Sequence, residues 1–367
     1  MSPETVVEKA PAAAPVSLGD ALLIEQEPRS RKDRLRSLVR WESVLVIALA
    51  ATVVFGVSVS SQFLTGSNIF NIGLANGEVA IMTLPMTLII IAGEIDLSIA
   101  STLGLSSSLL GYLWLHNWPM PAIIVFVLVI GLFLGLVNGL LVTRLGLPSL
   151  AVTIGTMTLY AGMAEITLGS TIVSNFPARY TTIGVNAFPH TDLSYSAVIF
   201  LVLAVIFGAV MHYTPFGRSL FAIGWNKEAA LYAGIRVKRV KTILYMVSGL
   251  IGALAGILYT FRLSTAEFDN GTGLVLSVVA VVLLGGVSIF GGKGTLFGVI
   301  LAVIVFCSLQ NALLLTSFPE DATGIVTGGL LLVSVLLPNG GDLFRRLRGH
   351  KSRRRLPGSS AGATRDT

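Results

Sequence analysis

The chain has little charge and almost no cysteine. Asp, Glu, Lys and Arg make up 12% of its 367 residues, against about 25% in a soluble domain. That leaves too little polar surface to cover a water-facing particle of this length. The single cysteine, Cys307, excludes a disulfide framework and any Cys-based metal site. Four histidines, His116, His190, His212 and His350, are scattered without metal-ligand spacing. Neither a catalytic residue nor a metal site is expected. The phosphate-binding pattern G-x-x-x-x-G-K-[ST] is missing. Its nearest approach, Gly291-Gly292-Lys293-Gly294, lacks both the hydroxyl after the lysine and the upstream glycine. The chain therefore carries no recognisable means of hydrolysing ATP, and no cofactor is expected in it. No basic segment followed by an apolar run stands near Met1, so no secretory signal is expected.

Long apolar runs dominate. Hydrophobic residues make up 53% of the chain, and its mean hydropathy is +0.82. A transmembrane barrel needs segments of about ten residues with alternating polarity, whereas these runs are continuous. A helix crossing a bilayer needs about 20 apolar residues. Qualifying runs lie near 43–61, 70–92, 98–115, 121–143, 150–168, 195–213, 242–262, 273–290, 295–315 and 322–338. The expectation is an all-α polytopic membrane protein with about ten transmembrane helices. Only Gly93 to Leu97 separates the second and third runs, which leaves room for a broken or re-entrant helix.

Positive charge is concentrated in three places: Arg29 to Arg40, Arg345 to Arg355, and an island at 214–241. Cytoplasmic loops carry such excesses, so both termini and the island are read as cytoplasmic. The loop near 169–194 then lies outside. The net charge of +6 follows this topology, and nucleic-acid binding is not expected. Three parts result: a disordered cytoplasmic tail (1–40), rich in Ala, Pro and Glu up to about residue 28; a transmembrane domain (41–340); and a basic cytoplasmic tail (341–367).

Gly131, Gly135 and Gly139 recur every fourth residue, as do Ser248, Gly252 and Gly256. Small residues at this spacing let helix backbones approach closely, either inside one subunit or between two. Acids within the apolar regions are costly and face cavities or partners. Glu78 and Glu165 show no sequence partner. In Gly93-Glu94-Ile95-Asp96-Leu97-Ser98, Asp96 either caps the helix that follows or belongs to a gate beside a solute path. In the island, Asn226 suits an N-cap and Gly234 a left-handed C′ position. They bound a two-turn helix at 227–233, too short to be stable alone in water. It is either a docking element or a plain basic connector.

The island resembles the cytoplasmic coupling loop of ABC importer permeases, with the loose signature E-A-A-x-x-x-G at Glu228, Ala229, Ala230 and Gly234. The wider string Gly217-Arg218, Ala222-Ile223-Gly224-x-Asn226 and Ala233-Gly234-Ile235 is similar to the ribose-type sugar permeases. So are Ile95-Asp96-Leu97-Ser98 and Leu284-Gly285-Gly286-Val287-Ser288-Ile289-Phe290-Gly291-Gly292-x-Gly294. The resemblance spans roughly 40–338. Arg40-Trp41-Glu42 and Val287 to Phe290 are similar in wording to the rhamnose and autoinducer-2 branch. Two positions depart from the pattern: Glu94 replaces a glycine, and Val275 stands where the family often has Glu.

The resemblance implies import of a sugar or sugar-like solute across a bacterial inner membrane. Two permease subunits, alike or different, would line the path through the lipid bilayer. An extracytoplasmic or periplasmic binding protein would deliver the solute, and separate ATP-binding subunits would use the ATP. It implies coupling through Gly217, Arg218, Asn226, Glu228, Ala229, Ala230 and Gly234. A path or gate would involve Glu94, Asp96, Ser98, Gly285 and Gly286. Two other classes stand beside this one. In an ion-coupled secondary transporter, Glu78, Glu94, Asp96 and Glu165 would form a relay. A channel would have a polar pore ring.

Overall fold

The computed structural model describes residues 41–316 and, beyond them, positions 324, 325, 328, 329 and 332, all helical. The two tails, and most of the run at 322–338, lie outside the described residues. Within them the chain is helical, with two isolated bridges, Val173 to Ala266 and Ala187 to Ser194.

The helices are α1 (Trp41–Val59), α2 (Gly66–Ile91), α3 (Ile99–Leu115), α4 (Met120–Thr143), α5 (Ser149–Leu168), α6 (Ala178–Val185), α7 (Tyr195–Tyr213), α8 (Pro215–Trp225), α9 (Lys227–Tyr232), α10 (Val237–Leu263), α11 (Leu274–Leu284) and α12 (Leu296–Leu315). Among the described residues seven are long and apolar enough to cross a membrane: α1, α2, α4, α5, α7, α10 and α12. α3, with 17 residues, is about 26 Å long. α11, with 11, is about 16 Å and covers half of a bilayer core of about 30 Å. The expected span at 273–290 is thus a half-length helix. The apolar run is continuous, but Gly285 and Gly286 turn the chain at the helix end.

α2 is the hub. Every residue from Asn76 to Ala92 is buried, and α2 packs against α7, α10, α11 and α12. This explains its apolar character on all sides: a helix facing neighbours all round has no polar stripe. α2 ends where Gly93 takes φ +76. There the Gly93 N–H donates to the Ile90 carbonyl (2.9 Å) and the Glu94 N–H to the Ile89 carbonyl (3.1 Å). This left-handed cap satisfies the last carbonyls and releases the chain into the turn before α3. α2 and α3 are therefore two helices joined by a short turn, in which Asp96 and Ser98 are buried.

Both small-residue stripes are used inside this chain. Gly131, Gly135 and Gly139 of α4 face Gly249, Tyr245 and Thr242 of α10, while Gly252 and Gly256 of α10 face Ile99 and Leu103 of α3. α10 thus packs closely against a helix on each of two faces. A side chain at Gly135 would meet the Tyr245 carbonyl and stand 2.9 Å from the Met246 Cα, and neither backbone atom can turn away. Gly135→Leu is expected to reach at least the upper end of the roughly 1–3 kcal/mol that overpacking costs. A large fall in the melting temperature of the detergent-purified protein, with reduced membrane yield, is the measurement.

Candidate functional site

The island folds as two short helices. α8 starts at Thr214, whose Oγ1 accepts the Gly217 N–H at 3.2 Å, with Pro215 in the first turn. Pro there gives up no hydrogen bond. Leu220 and Ile223 of α8 are buried in the core. α9 starts at Asn226, whose Oδ1 accepts the Ala229 N–H at 2.9 Å. It ends as α2 does: Gly234, at φ +81, donates to the Leu231 carbonyl (3.0 Å) and Ile235 to the Ala230 carbonyl (3.0 Å). Ala230 is buried, but Trp225 is 72% exposed, Leu231 50% and Tyr232 93%. With Lys227, Glu228 and Ala229 also exposed, α9 offers an apolar surface edged by charge.

Behind α8 three segments meet on glycine. The Gly292 N–H donates to the Ile91 carbonyl at 2.8 Å. A Cβ on Gly291 would stand 2.9 Å from the Gly93 Cα and 3.2 Å from the Gly224 Cα. The end of α2, the end of α8 and the loop between α11 and α12 are therefore in backbone contact. Lys293 lies over the Trp225 ring at 5.4 Å. The start of α1 joins the same end. Trp41 Nε1 donates to the Leu284 carbonyl (2.7 Å) and Thr295 Oγ1 to Glu42 Oε1 (3.2 Å). Gly286 packs against the Trp41 ring and Gly285 against Val299 of α12.

The turn between α2 and α3 is held by a buried polar network. Asp96 Oδ1 accepts from the Ser98 N–H (3.0 Å) and Ser98 Oγ (2.6 Å). Asp96 Oδ2 accepts from Ser248 Oγ of α10 (2.6 Å). Asn138 of α4 donates to Ser98 Oγ at 2.7 Å, and Tyr160 of α5 donates to the Leu134 carbonyl at 3.1 Å beside it. Four helices, α3, α4, α5 and α10, thus meet on one carboxylate and its neighbours. Glu94 forms an ion pair with Lys241 near the start of α10, both side chains largely buried.

Towards the opposite end, Glu78 of α2 is buried and accepts from Arg262 Nε at 3.1 Å. Arg262 also lies over the Tyr259 ring, 4.8 Å from its centroid. Between α10 and α11 the chain turns back into the bundle. A Cβ on Gly104 of α3 would stand 2.6 Å from the Asn270 carbonyl oxygen, and Gly104 lies about 16 Å from the far end of α3. Non-helical backbone at this depth is tolerated only where protein buries it or water reaches it. Here Asn270 Nδ2 donates to Ser107 Oγ (2.8 Å), as does Thr260 Oγ1 (2.8 Å). Glu165 of α5 is exposed, on a face it shares with Ala151, Gly155 and Thr158. Among the described residues no cluster of His, Cys, Asp and Glu could hold a metal ion.

Over residues 68–335 the sequence matches the family described as "Branched-chain amino acid transport system / permease component". The chain belongs to that family. The permease is 33% identical over 267 residues to the "Autoinducer 2 import system permease protein LsrD" of Escherichia coli K12, covering 70% of this chain and 79% of that one. The protein of the same name from Yersinia enterocolitica is 33% identical over 264 residues, with the same coverage. No solved structure was found to match. This chain is a permease subunit of the ABC importer class, a multi-pass membrane protein rather than an enzyme, and it stands with the ribose-type permeases and their autoinducer-2 branch.

The structure brings together most of the residues singled out in the permease sequence. Gly93, Glu94, Asp96 and Ser98, the island, and Gly285 to Gly294 lie at one end of the bundle, although about 200 residues separate the first from the last. Two pairings were missed, those of Lys241, a cation of the island, and of Arg262, which the sequence did not single out. Each cation answers a buried acid more than 140 positions away in sequence. The cost of an unpaired acid demands such a cation, but the sequence does not say which one. α8 was also missed, although Thr214-Pro215 and the spacing of Phe216, Leu220 and Ile223 are a cap and an apolar face.

Proposed function

We propose that the permease imports a sugar or sugar-like solute across the bacterial inner membrane, with α9 as the element that docks separate ATP-binding subunits. The observation that carries this is the build of α9. It is a two-turn helix capped at both ends, with its apolar residues Leu231 and Tyr232 turned outward. Through α8 it adjoins the junction of Gly93, Gly224 and Gly291. A helix this short needs support, and a partner's groove would cover what its own protein leaves bare. Movement of α9 would reach the ends of α2, α11 and α12 through backbone contacts that have no side chains to absorb it.

In this reading the island end faces the cytoplasm, both tails lie on that side, and the chain crosses the membrane about ten times. The domain limits 1–40, 41–340 and 341–367 follow. An extracytoplasmic binding protein delivers the solute at the far end. A second permease subunit, the same or a similar chain, completes the path. Two features support a path: the re-entrant segment around Asn270, and the α5 face that exposes Glu165 among small residues, which lipid alone would solvate poorly. Glu94, Asp96, Ser98, Gly285 and Gly286 surround its inner end and act as the gate's frame. The relay required by an ion-coupled transporter finds no support, since Glu78, Glu94 and Asp96 each have a separate partner.

The test is uptake in vesicles holding the permease, its ATP-binding subunits and its binding protein. ATP-dependent uptake is expected. Glu228→Lys and Gly234→Pro are expected to lower it at least tenfold while leaving the protein inserted and ATP hydrolysis running uncoupled. Uptake driven by an ion gradient without ATP, or normal uptake in both variants, overturns the reading.

A further inference from the structure

A cavity of about 700 Å³ opens between the end of α4 and the start of α10, with Leu231 of α9 in its lining. Its walls divide by chemistry. Arg144, Arg236, Lys238 and Arg239 form one edge. All four are exposed, none forms an ion pair among the described residues, and no carboxylate lines the cavity. Leu136, Leu140 and Met246 form the other wall. Leu136 lies eight residues before Arg144, which is about 12 Å along the helix, inside the apolar stretch of a membrane span. The cavity therefore runs from a cluster of cations at the membrane border into the depth of the hydrocarbon layer.

We propose that this cavity is a binding site for an anionic phospholipid. The guanidinium and ammonium groups would hold the phosphate, and an acyl chain would lie along α4 and α10. Both halves of the ligand are needed. A soluble anion would use the cations and leave the apolar wall bare. A docked protein segment could not reach Leu136 without entering the bilayer. Basic pockets beside the cytoplasmic ends of membrane helices suit anionic head groups, and four cations fixed by two helices are better placed than a flexible tail. Leu231 of α9 closes one end of the cavity, so a bound lipid would brace the short helix from the membrane side. The site needs only a membrane-spanning chain with this end at the bilayer surface. Its failure and the failure of the transport reading are therefore separate results.

The experiment is native mass spectrometry of the full-length protein released from nanodiscs of equal phosphatidylglycerol and phosphatidylcholine with matched chains. The expected result is retention of about one phosphatidylglycerol per chain, at least tenfold above phosphatidylcholine. The Arg144→Gln, Lys238→Gln, Arg239→Gln variant is expected to lose that preference, at about fivefold for each cation removed. Arg179→Gln, a cation on α6 near the opposite end, is expected to keep it. Equal retention of the two lipids overturns the proposal, as does a preference that survives the triple substitution. Displacement of the lipid by millimolar inorganic phosphate alone would assign the cations to a soluble anion. Displacement by the ATP-binding subunits would assign the cavity to protein docking. Either result also overturns the proposal.

Discussion

Glu94→Gln is expected to cost the permease roughly 3–5 kcal/mol of stability, the range for a buried ion pair that loses one partner, and with it most of its uptake. The reason lies in the partner left behind. Lys241 is largely buried at the start of α10 and pairs with Glu94 across 147 positions of sequence. Removing the carboxylate leaves a desolvated ammonium with no counter-charge. Lys241→Gln is expected to do similar damage from the other side. The exchange Glu94→Lys with Lys241→Glu is expected to recover much of the loss, because the pair is re-formed with its signs reversed. Glu94→Gly with Lys241→Met removes both charges and is expected to recover stability, since a buried pair gains little over apolar packing. Melting temperatures in detergent and ATP-driven uptake read all four. If the double neutral variant melts like the parent but fails to transport, the pair links α9 and α10 to the turn before α3. If both recover, it is an anchor alone. Single variants that behave like the parent would show that the pair does not form.

The same pair shows where sequence reading reaches its limit. Glu94 stands as a departure from the ribose-type pattern, and nothing local explains it. Its reason is a lysine brought beside it by the packing of α10 against α2. Features set by neighbours along the chain were legible: the apolar runs, the Asn226 cap, the left-handed end at Gly234, and the four-residue spacing of Gly131, Gly135 and Gly139. Each is fixed by local hydrogen bonding or helical period. Features set by tertiary contact were not. The Glu78–Arg262 pair joins two long helices 184 positions apart. The half-length of α11 depends on a glycine turn within an unbroken apolar run, which hydropathy averages away. The convergence of three motifs on Gly93, Gly224 and Gly291 was unreadable for the same reason. Each motif shows its own glycines, but only the fold shows that the glycines are there for one another.

Asp96 offers the sharper division between anchor and gate. Asp96→Ala is expected to destabilise the permease by roughly 3 kcal/mol, the scale of losing two or more hydrogen bonds to a charged acceptor. It leaves Ser98 Oγ and Ser248 Oγ without their acceptor in a buried site, and the junction of α3 with α10 loses its tie. Asp96→Asn keeps the shape and one carbonyl oxygen. That oxygen can still accept from Ser98, while the Ser248 hydroxyl turns to accept from the new amide. Asn is therefore expected to keep most of the stability. Its effect on uptake then carries the information. A carboxylate that only ties helices together is replaceable by an amide, so uptake in Asp96→Asn should stay within about threefold of the parent, the size of a loss below 1 kcal/mol. A charge that must meet solute or change partner as the path opens is not replaceable. Uptake would then collapse while the melting temperature held. The geometry favours the first outcome. All three bonds to Asp96 come from Ser98 and Ser248, both themselves buried, so each carboxylate oxygen is engaged by the protein and Asp96 is itself closed off from solvent.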